Sequence, residues 1–154
     1  MKDWIAQHQV TEVECIVPDL AGAARGKIMP AAKFTGAADL RMPQSIFMQS
    51  VTGDYPEIYE RINPLDVDML LKPDPNTIRM LPWAREPSAQ VIHDCFDMEG
   101  EPIAFSPRYV LRRVLDRVFE HYDARLGRPS AHINQYFRLI KKLDLFPLKI
   151  ELEI

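Results

Sequence analysis

Glu151 and Glu153, near the end of the printed sequence, have a spacing that suits metal chemistry. In a β-strand, residues two apart face the same side, so both carboxylates can bind one ion. Hard divalent cations such as Mg²⁺ and Mn²⁺ prefer oxygen ligands of this kind. An alternating charged strand explains the same two residues equally well. Two carboxylates without further ligands would also bind such an ion weakly, so we expect no cofactor bound by this chain alone.

Two other segments are candidates for ligand contact. Arg25 and Lys27 flank Gly26, and two cations beside a glycine could bind phosphate. However, the segment lacks the GxxxxGK spacing of a phosphate-binding loop, and solvent-facing cations on a hairpin are the favoured interpretation. Asp54 lies in a dense turn signal inside the irregular stretch 36–66. Stretches of this length with little regular structure are often functional, although an ordinary turn aspartate is the alternative.

The cysteines and histidines carry no recognisable catalytic or metal-binding spacing. Cys15 and Cys95 lie in alternating apolar runs without CxxC partners, which is typical of buried thiols in a reducing compartment. His93 also lies in an alternating run and is interpreted as structural. The other three histidines are scattered and form no HxH or HxxxH pair.

Composition limits the classes of function. The chain has 154 residues, 47% hydrophobic and 27% charged, which fits one soluble domain, with or without an appendage. A net charge of −3 argues against nucleic-acid binding, which needs clustered cations on one face. No apolar run approaches the roughly 18 residues of a membrane span. The N-terminus does not resemble a signal peptide, so we expect a cytoplasmic location.

Periodicity predicts the elements that would position these residues. Alternation predicts a hairpin over residues 12–29 and three further strands over 68–72, 77–81 and 89–96. Ser106 and Pro107 begin a long amphipathic helix that ends near Gly127. A second helix around residues 133–140 and a strand over 147–154 follow. The apolar stripe of the long helix predicts a core between helix and sheet, formed by Leu111, Val114, Leu115 and Val118.

Two motifs carry a resemblance to a known family. The first is Asp19-Leu20-Ala21-Gly22-Ala23-Ala24-Arg25-Gly26-Lys27. The second runs from Lys72-Pro73-Asp74 through Thr77-Ile78-Arg79-Met80-Leu81-Pro82-Trp83 to Phe105-Ser106-Pro107-Arg108. Together they resemble the N-terminal domain of the glutamine synthetase family, and the branch most similar is the gamma-glutamyl-polyamine synthetases.

The resemblance implies an α+β fold, a β-grasp-like mixed sheet packed on one long helix. It implies such a domain over residues 1–120 and a divergent tail over 121–154, the possible start of a catalytic domain. The implied activity is ATP-dependent ligation of glutamate to ammonia or an amine, with Mg²⁺ or Mn²⁺, in a homo-oligomer. The chain alone is expected to be inactive. A free-standing, non-catalytic binding or assembly module is the alternative.

The resemblance also assigns roles to the candidate residues. In the family, a loop of this domain reaches the catalytic barrel of the next subunit, and its Asp, followed by Gly and two serines, helps bind ammonium. Here Gln49-Ser50-Val51-Thr52-Gly53-Asp54 stands in that place, so the departure favours a larger amine, and Asp54 becomes the candidate substrate-side carboxylate. We expect this loop to be exposed and mobile. Glu151 and Glu153 match the family's metal-binding Glu-x-Glu, although Ile150 and Ile154 replace its usual neighbours.

Overall fold

Six strands form one mixed sheet in the part of the chain that a computed structural model describes. That part comprises residues 1–36, 40–58 and 65–126, and for residues 119–126 it describes the backbone alone. The sheet order is β2-β1-β6-β4-β3, and β5 also pairs with β6. The strands are β1 (Glu12–Pro18), β2 (Ala24–Pro30), β3 (Leu40–Pro43), β4 (Asp68–Pro73), β5 (Arg79–Met80) and β6 (Ser88–Phe96).

β6 is the central strand, and it changes partner along its length. Its first half pairs in parallel with β1, from Glu12↔Ser88 to Ile16↔Ile92. Its second half pairs antiparallel with β4, from Leu70↔Phe96 to Pro73↔His93. Every other pairing is antiparallel as well, including the β1–β2 hairpin. The α+β, β-grasp-like mixed sheet that the resemblance implies is therefore confirmed.

Helices and turns complete the described fold. Helix α1 spans Lys2–Gln7, α2 spans Ala31–Thr35, and α3 spans Pro107–Leu126 and begins where Ser106-Pro107 predicts. Two 3-10 helices cover Gln44–Met48 and Pro75–Thr77. The chain divides into two compact units, residues 1–111 and 112–154. The second helix and the last strand predicted from the sequence lie outside the described residues.

Two predicted elements differ from the structure. The strand expected over 77–81 is only Arg79–Met80, because Asp74 caps a 3-10 turn there by accepting the Asn76 amide at 3.0 Å. Conversely, β3 lies in a stretch that the sequence analysis interpreted as irregular. This strand has only four residues and ends at Pro43, so it is too short to show an alternating pattern.

The apolar core lies on one face of the sheet and consists of two clusters. In β1 and β6 the inward residues are the alternate ones, as a period of two requires. The first cluster joins α1, β1, β2, α2 and β6: Ile5, Val10, Val13, Cys15, Met29, Ala31, Ala89 and Val91. The second joins β1, β3, the first 3-10 helix, β4 and β6: Val17, Met42, Ile46, Phe47, Met69, Leu71, Cys95 and Ile103.

The predicted buried stripe of α3 is wrong for two of its four residues. Leu111 is 38% exposed and Val114 is 50% exposed, whereas Leu115 is buried and Val118 is half-buried. The spacing identified an apolar face correctly, but a helical period does not show how much of that face is covered.

His93 is buried between the two clusters, on the inward face of β6. Its Nδ1 is 3.1 Å from the Val91 carbonyl oxygen, and its ring meets Phe34 edge-on. Nε2 has no hydrogen-bond partner among the described residues. Burial lowers the pKa of His93 to about 4, despite the favourable charge of Asp94. A structural role, as the alternating run indicates, fits this environment.

The His93 pKa predicts that stability falls in mild acid. The folded-state pKa of about 4 is below the ordinary value of 6.5, so the unfolded chain binds the proton more readily. The contribution is complete above about pH 6.5 and declines as the pH falls to about 4, by up to about 3 kcal/mol. Urea unfolding at several pH values should show a steeper decline in wild type than in His93→Leu. Equal pH dependence in the two proteins would contradict the assignment.

Candidate functional site

Asp54 lies in an exposed loop that follows the first 3-10 helix. Two backbone hydrogen bonds close the loop: the Ser50 amide donates to the Asp54 carbonyl at 2.9 Å, and the Gly53 amide donates to the Ser50 carbonyl at 3.0 Å. Gly53 has a φ of 91°, a left-handed conformation that glycine adopts without strain. The exposure expected from the sequence is therefore confirmed, and the mobility stays a prediction.

Side chains of the same loop form a closed ring of hydrogen bonds. The Thr52 hydroxyl donates to Asp54 Oδ2 at 2.6 Å, and the Ser50 and Thr52 hydroxyl oxygens are 2.8 Å apart. Since a hydroxyl has one hydrogen, Thr52 must accept from Ser50. Ser50 Oγ in turn accepts the Asp54 amide at 3.1 Å. Asp54 Oδ1 has no partner among the described residues, so it can accept a hydrogen bond from a cation.

Arg25 connects this loop to the β1–β2 hairpin. Its Nε donates to Asp19 Oδ2 at 2.8 Å, and its Nη2 donates to the Ser50 carbonyl at 2.7 Å. The Arg25 side chain is only 22% exposed, so its interpretation as a solvent-facing cation is wrong. Lys27 is exposed and donates to the Arg41 carbonyl at 2.9 Å. The sequence could not show the Arg25 contact, because 25 residues separate Arg25 from Ser50.

A second ionic cluster is buried and has no counterpart in the sequence-based predictions. Arg108, at the start of α3, pairs with Asp74 and, at 2.8 Å from its Nε, with Asp94 Oδ1. Arg108 and Asp74 are 4% and 7% exposed. Arg108 and Asp74 both lie in the motifs that resemble the family, and this was the only indication in the sequence that they matter. Because Arg108 and Asp74 are buried and only Asp94 is partly exposed, the cluster has a structural role in this arrangement: it joins the end of β4, β6 and the start of α3.

The described residues contain no obvious metal or thiol chemistry. No group of three or more His, Cys, Asp or Glu side chains among them could hold a metal ion. Glu151 and Glu153, the predicted metal ligands, lie outside the described residues. Cys15 and Cys95 are free and buried, and burial raises their thiol pKa values to about 11 and about 12, which disfavours the nucleophilic thiolate. No helix in the described part is both long and apolar enough to cross a membrane.

Sequence comparisons find relatives that match most of this chain. Rat lengsin is 33% identical over 139 residues, which are 88% of this chain and 24% of lengsin. The gamma-glutamylethanolamide synthetase GlnA4 of Streptomyces coelicolor is 29% identical over 132 residues, 80% of this chain and 28% of that enzyme. The glutamine synthetase of Halobacterium salinarum is 31% identical over 113 residues, 71% and 23% of the two chains. No protein-family model matches.

The fold has solved counterparts as well. The crystal structure of a glutamine synthase homologue superposes with a TM-score of 0.61 at 22% identity, covering 73% of this chain and 27% of that one. At this identity the likeness shows the fold alone. The sequence matches extend over most of the chain, and they include a glutamine synthetase and a gamma-glutamylethanolamide synthetase. The chain thus belongs to the glutamine synthetase family, and it spans about a quarter of the length of the relatives it matches.

Proposed function

We propose that this chain is the N-terminal domain of an ATP-dependent ligase that joins glutamate to an amine. The proposed domain covers residues 1–120, and residues 121–154 would open the catalytic domain. The observation that carries the proposal is the Ser50–Asp54 loop, which presents a carboxylate oxygen to solvent in a chain related to glutamate–amine ligases. The whole enzyme would be a cytoplasmic homo-oligomer.

Asp54 would act on the amine side of the reaction. In the ligation, ATP phosphorylates the glutamate γ-carboxylate, and the amine then displaces phosphate to form the amide. The Asp54 carboxylate would stabilise the ammonium form of the amine through Oδ1 and accept its proton. The Ser50 and Thr52 hydroxyls support this role, because their hydrogen-bond ring fixes the other oxygen. The family's Asp-Gly-Ser-Ser is absent here, which favours an amine larger than ammonia, such as a polyamine.

Nucleotide and metal would be held mainly by the remainder of the enzyme. Glu151 and Glu153 are the only residues of this chain proposed as ligands for Mg²⁺ or Mn²⁺, by their match to the family's Glu-x-Glu. When bound, the metal would neutralise phosphate charge during transfer. The described residues provide no alternative oxygen cage of three or more acidic or histidine ligands. Asp54 therefore carries the testable chemistry of this part of the enzyme.

A chimera can test Asp54. Residues 1–120 would replace the matched segment of Streptomyces coelicolor GlnA4, and kinetics would be measured with ethanolamine and ATP varied in turn. We expect Asp54→Ala to raise the KM for the amine about 10-fold or more, a loss of about 1.4 kcal/mol in binding, with the KM for ATP changed less than about 2-fold. Glu57→Ala, which removes a nearby exposed carboxylate, is the matched control. Unchanged amine kinetics in Asp54→Ala would reduce Asp54 to a turn residue.

A further inference from the structure

We propose that Arg25 is a positioning residue for the amine-side loop, an inference that rests on the proposed function of Asp54. The guanidinium joins two segments that are distant in the sequence: the turn between β1 and β2, and the Ser50–Asp54 loop. Its role would be to fix the loop so that the Asp54 carboxylate keeps one orientation towards the amine. Arg25 would not itself contact the substrate.

The anchor of this arrangement is Asp19, which is 2% exposed. Asp19 Oδ1 accepts the Ala23 amide at 2.7 Å, so the hairpin turn itself orients the carboxylate. Oδ2 then faces Arg25 Nε at 2.8 Å. A buried carboxylate needs a charged or hydrogen-bonding partner, and Arg25 is the cation that pairs with it. Arg25 is therefore held at a defined position by the hydrogen-bonded hairpin turn.

From that position the guanidinium contacts the loop. Nη2 donates to the Ser50 carbonyl at 2.7 Å, and Ser50 supplies both the backbone and the hydroxyl that bind Asp54. A Cβ built on Gly53 would lie 3.9 Å from Arg25 Nη1, so the guanidinium also passes close to the turn beside Asp54. Tyr55 holds the far side of the loop by donating to the buried Ser45 hydroxyl at 3.3 Å. Arg25 is thus the anchor of the Ser50 side.

The two contacts require an arginine. The planar guanidinium presents several N–H donors in a fixed fork, so one side chain can bind Asp19 and Ser50 together. A lysine ammonium on a flexible stem is a single point of charge, and it would pair with the buried Asp19 at the expense of the fixed contact to Ser50. Arg25→Lys should therefore preserve the hairpin while loosening the loop, which separates positioning from general stability.

Backbone ¹⁵N relaxation on the whole chain tests the proposal directly. The Arg25–Ser50 contact and the backbone bonds within the loop lead us to expect an ordered loop instead of the mobile one predicted from the sequence. In wild type, the amides of Ser50, Gly53 and Asp54 should have order parameters of about 0.85, and in Arg25→Met they should fall below about 0.6. Arg79→Met is the matched control, because Arg79 is an exposed strand arginine bonded only to Gln90 in the described structure. Asp19→Asn keeps the acceptor for the Ala23 amide but loses the charge, so it should give an intermediate fall. It also serves if Arg25→Met fails to fold.

Kinetics in the GlnA4 chimera separate this proposal from the function of Asp54. Arg25→Met and Arg25→Lys should raise the KM for ethanolamine about 5-fold or more while kcat/KM for ATP changes less than about 2-fold. Unaltered order parameters at Ser50, Gly53 and Asp54 in folded Arg25→Met would overturn the positioning role. Loosened amides with an unchanged KM for the amine, in a chimera whose Asp54→Ala variant does raise that KM, would also overturn the positioning role. An unchanged KM in both variants would overturn the proposed role of Asp54.

Discussion

Gly26→Ala is expected to destabilise the fold by about 4 kcal/mol or more, at the exceptional end of single substitutions. A Cβ at position 26 would lie 2.1 Å from the Cys15 carbonyl oxygen and 3.1 Å from Ile16 Cα. Both contacts are with the backbone of β1, which pairs with β2 on one side and β6 on the other. Relief would require β1 or β2 to shift, breaking pairs in a hairpin that runs from Glu12↔Pro30 to Pro18↔Ala24.

Gly36→Ala is the matched control for this substitution. Gly36 follows α2, has a φ of −81°, and a Cβ there would approach only carbonyl oxygens, at 3.3 and 3.4 Å. Its cost should stay below about 1 kcal/mol, because alanine tolerates this conformation. Urea unfolding of the two variants gives the comparison. A Gly26→Ala protein as stable as Gly36→Ala would show that the hairpin register is not as described.

Arg108→Met is expected to cost about 3–5 kcal/mol, the usual range when one partner of a buried ionic cluster is removed. The substitution removes the Arg108 guanidinium from the Asp74 carboxylate, which is 7% exposed. Arg108→Lys should recover only part of the loss, since one ammonium replaces a guanidinium that bonds both Asp74 and Asp94. The loss should appear in the free energy of unfolding measured in urea.

A double variant distinguishes charge burial from packing. Asp74→Asn removes the charge that loses its Arg108 partner in Arg108→Met, so the two changes together should cost less than the sum of the single effects. Arg79→Met, an exposed strand arginine, should change stability by less than about 0.5 kcal/mol and serves as the control. Strict additivity of Asp74→Asn and Arg108→Met would argue against a shared ionic cluster.

Local pattern was sufficient for most of the described elements. The alternation around Val13, Cys15 and Val91 predicted β1 and β6, and Ser106-Pro107 located the start of α3, because these signals depend on neighbours in the chain. The change of β6 from pairing with β1 to pairing with β4 could not be predicted from the sequence, because pairing depends on which strands meet in space. The exposure of Leu111 and Val114 was likewise unpredictable, because periodicity defines a face and not its cover.

The candidate site also has local features that the sequence predicted and long-range contacts that it did not. The turn signal located Asp54, since Gly53 and its neighbours act locally. The contacts that give the site its geometry are long-range: Arg25 reaches Ser50 across 25 residues, and Arg108 reaches Asp74 across 34. The family motifs marked Arg25, Asp74 and Arg108 without indicating their partners. A pattern can thus identify such residues before the structure explains them.

Phosphate release most directly tests the claim that this chain is the amine-side domain of a larger ligase. The purified chain and the GlnA4 chimera would each be incubated with ATP, Mg²⁺, glutamate and ethanolamine. We predict no turnover above a protein-free control for the chain alone, and release that depends on both glutamate and amine for the chimera. Turnover by the chain alone, or a folded chimera without amine-dependent release, would contradict the assignment.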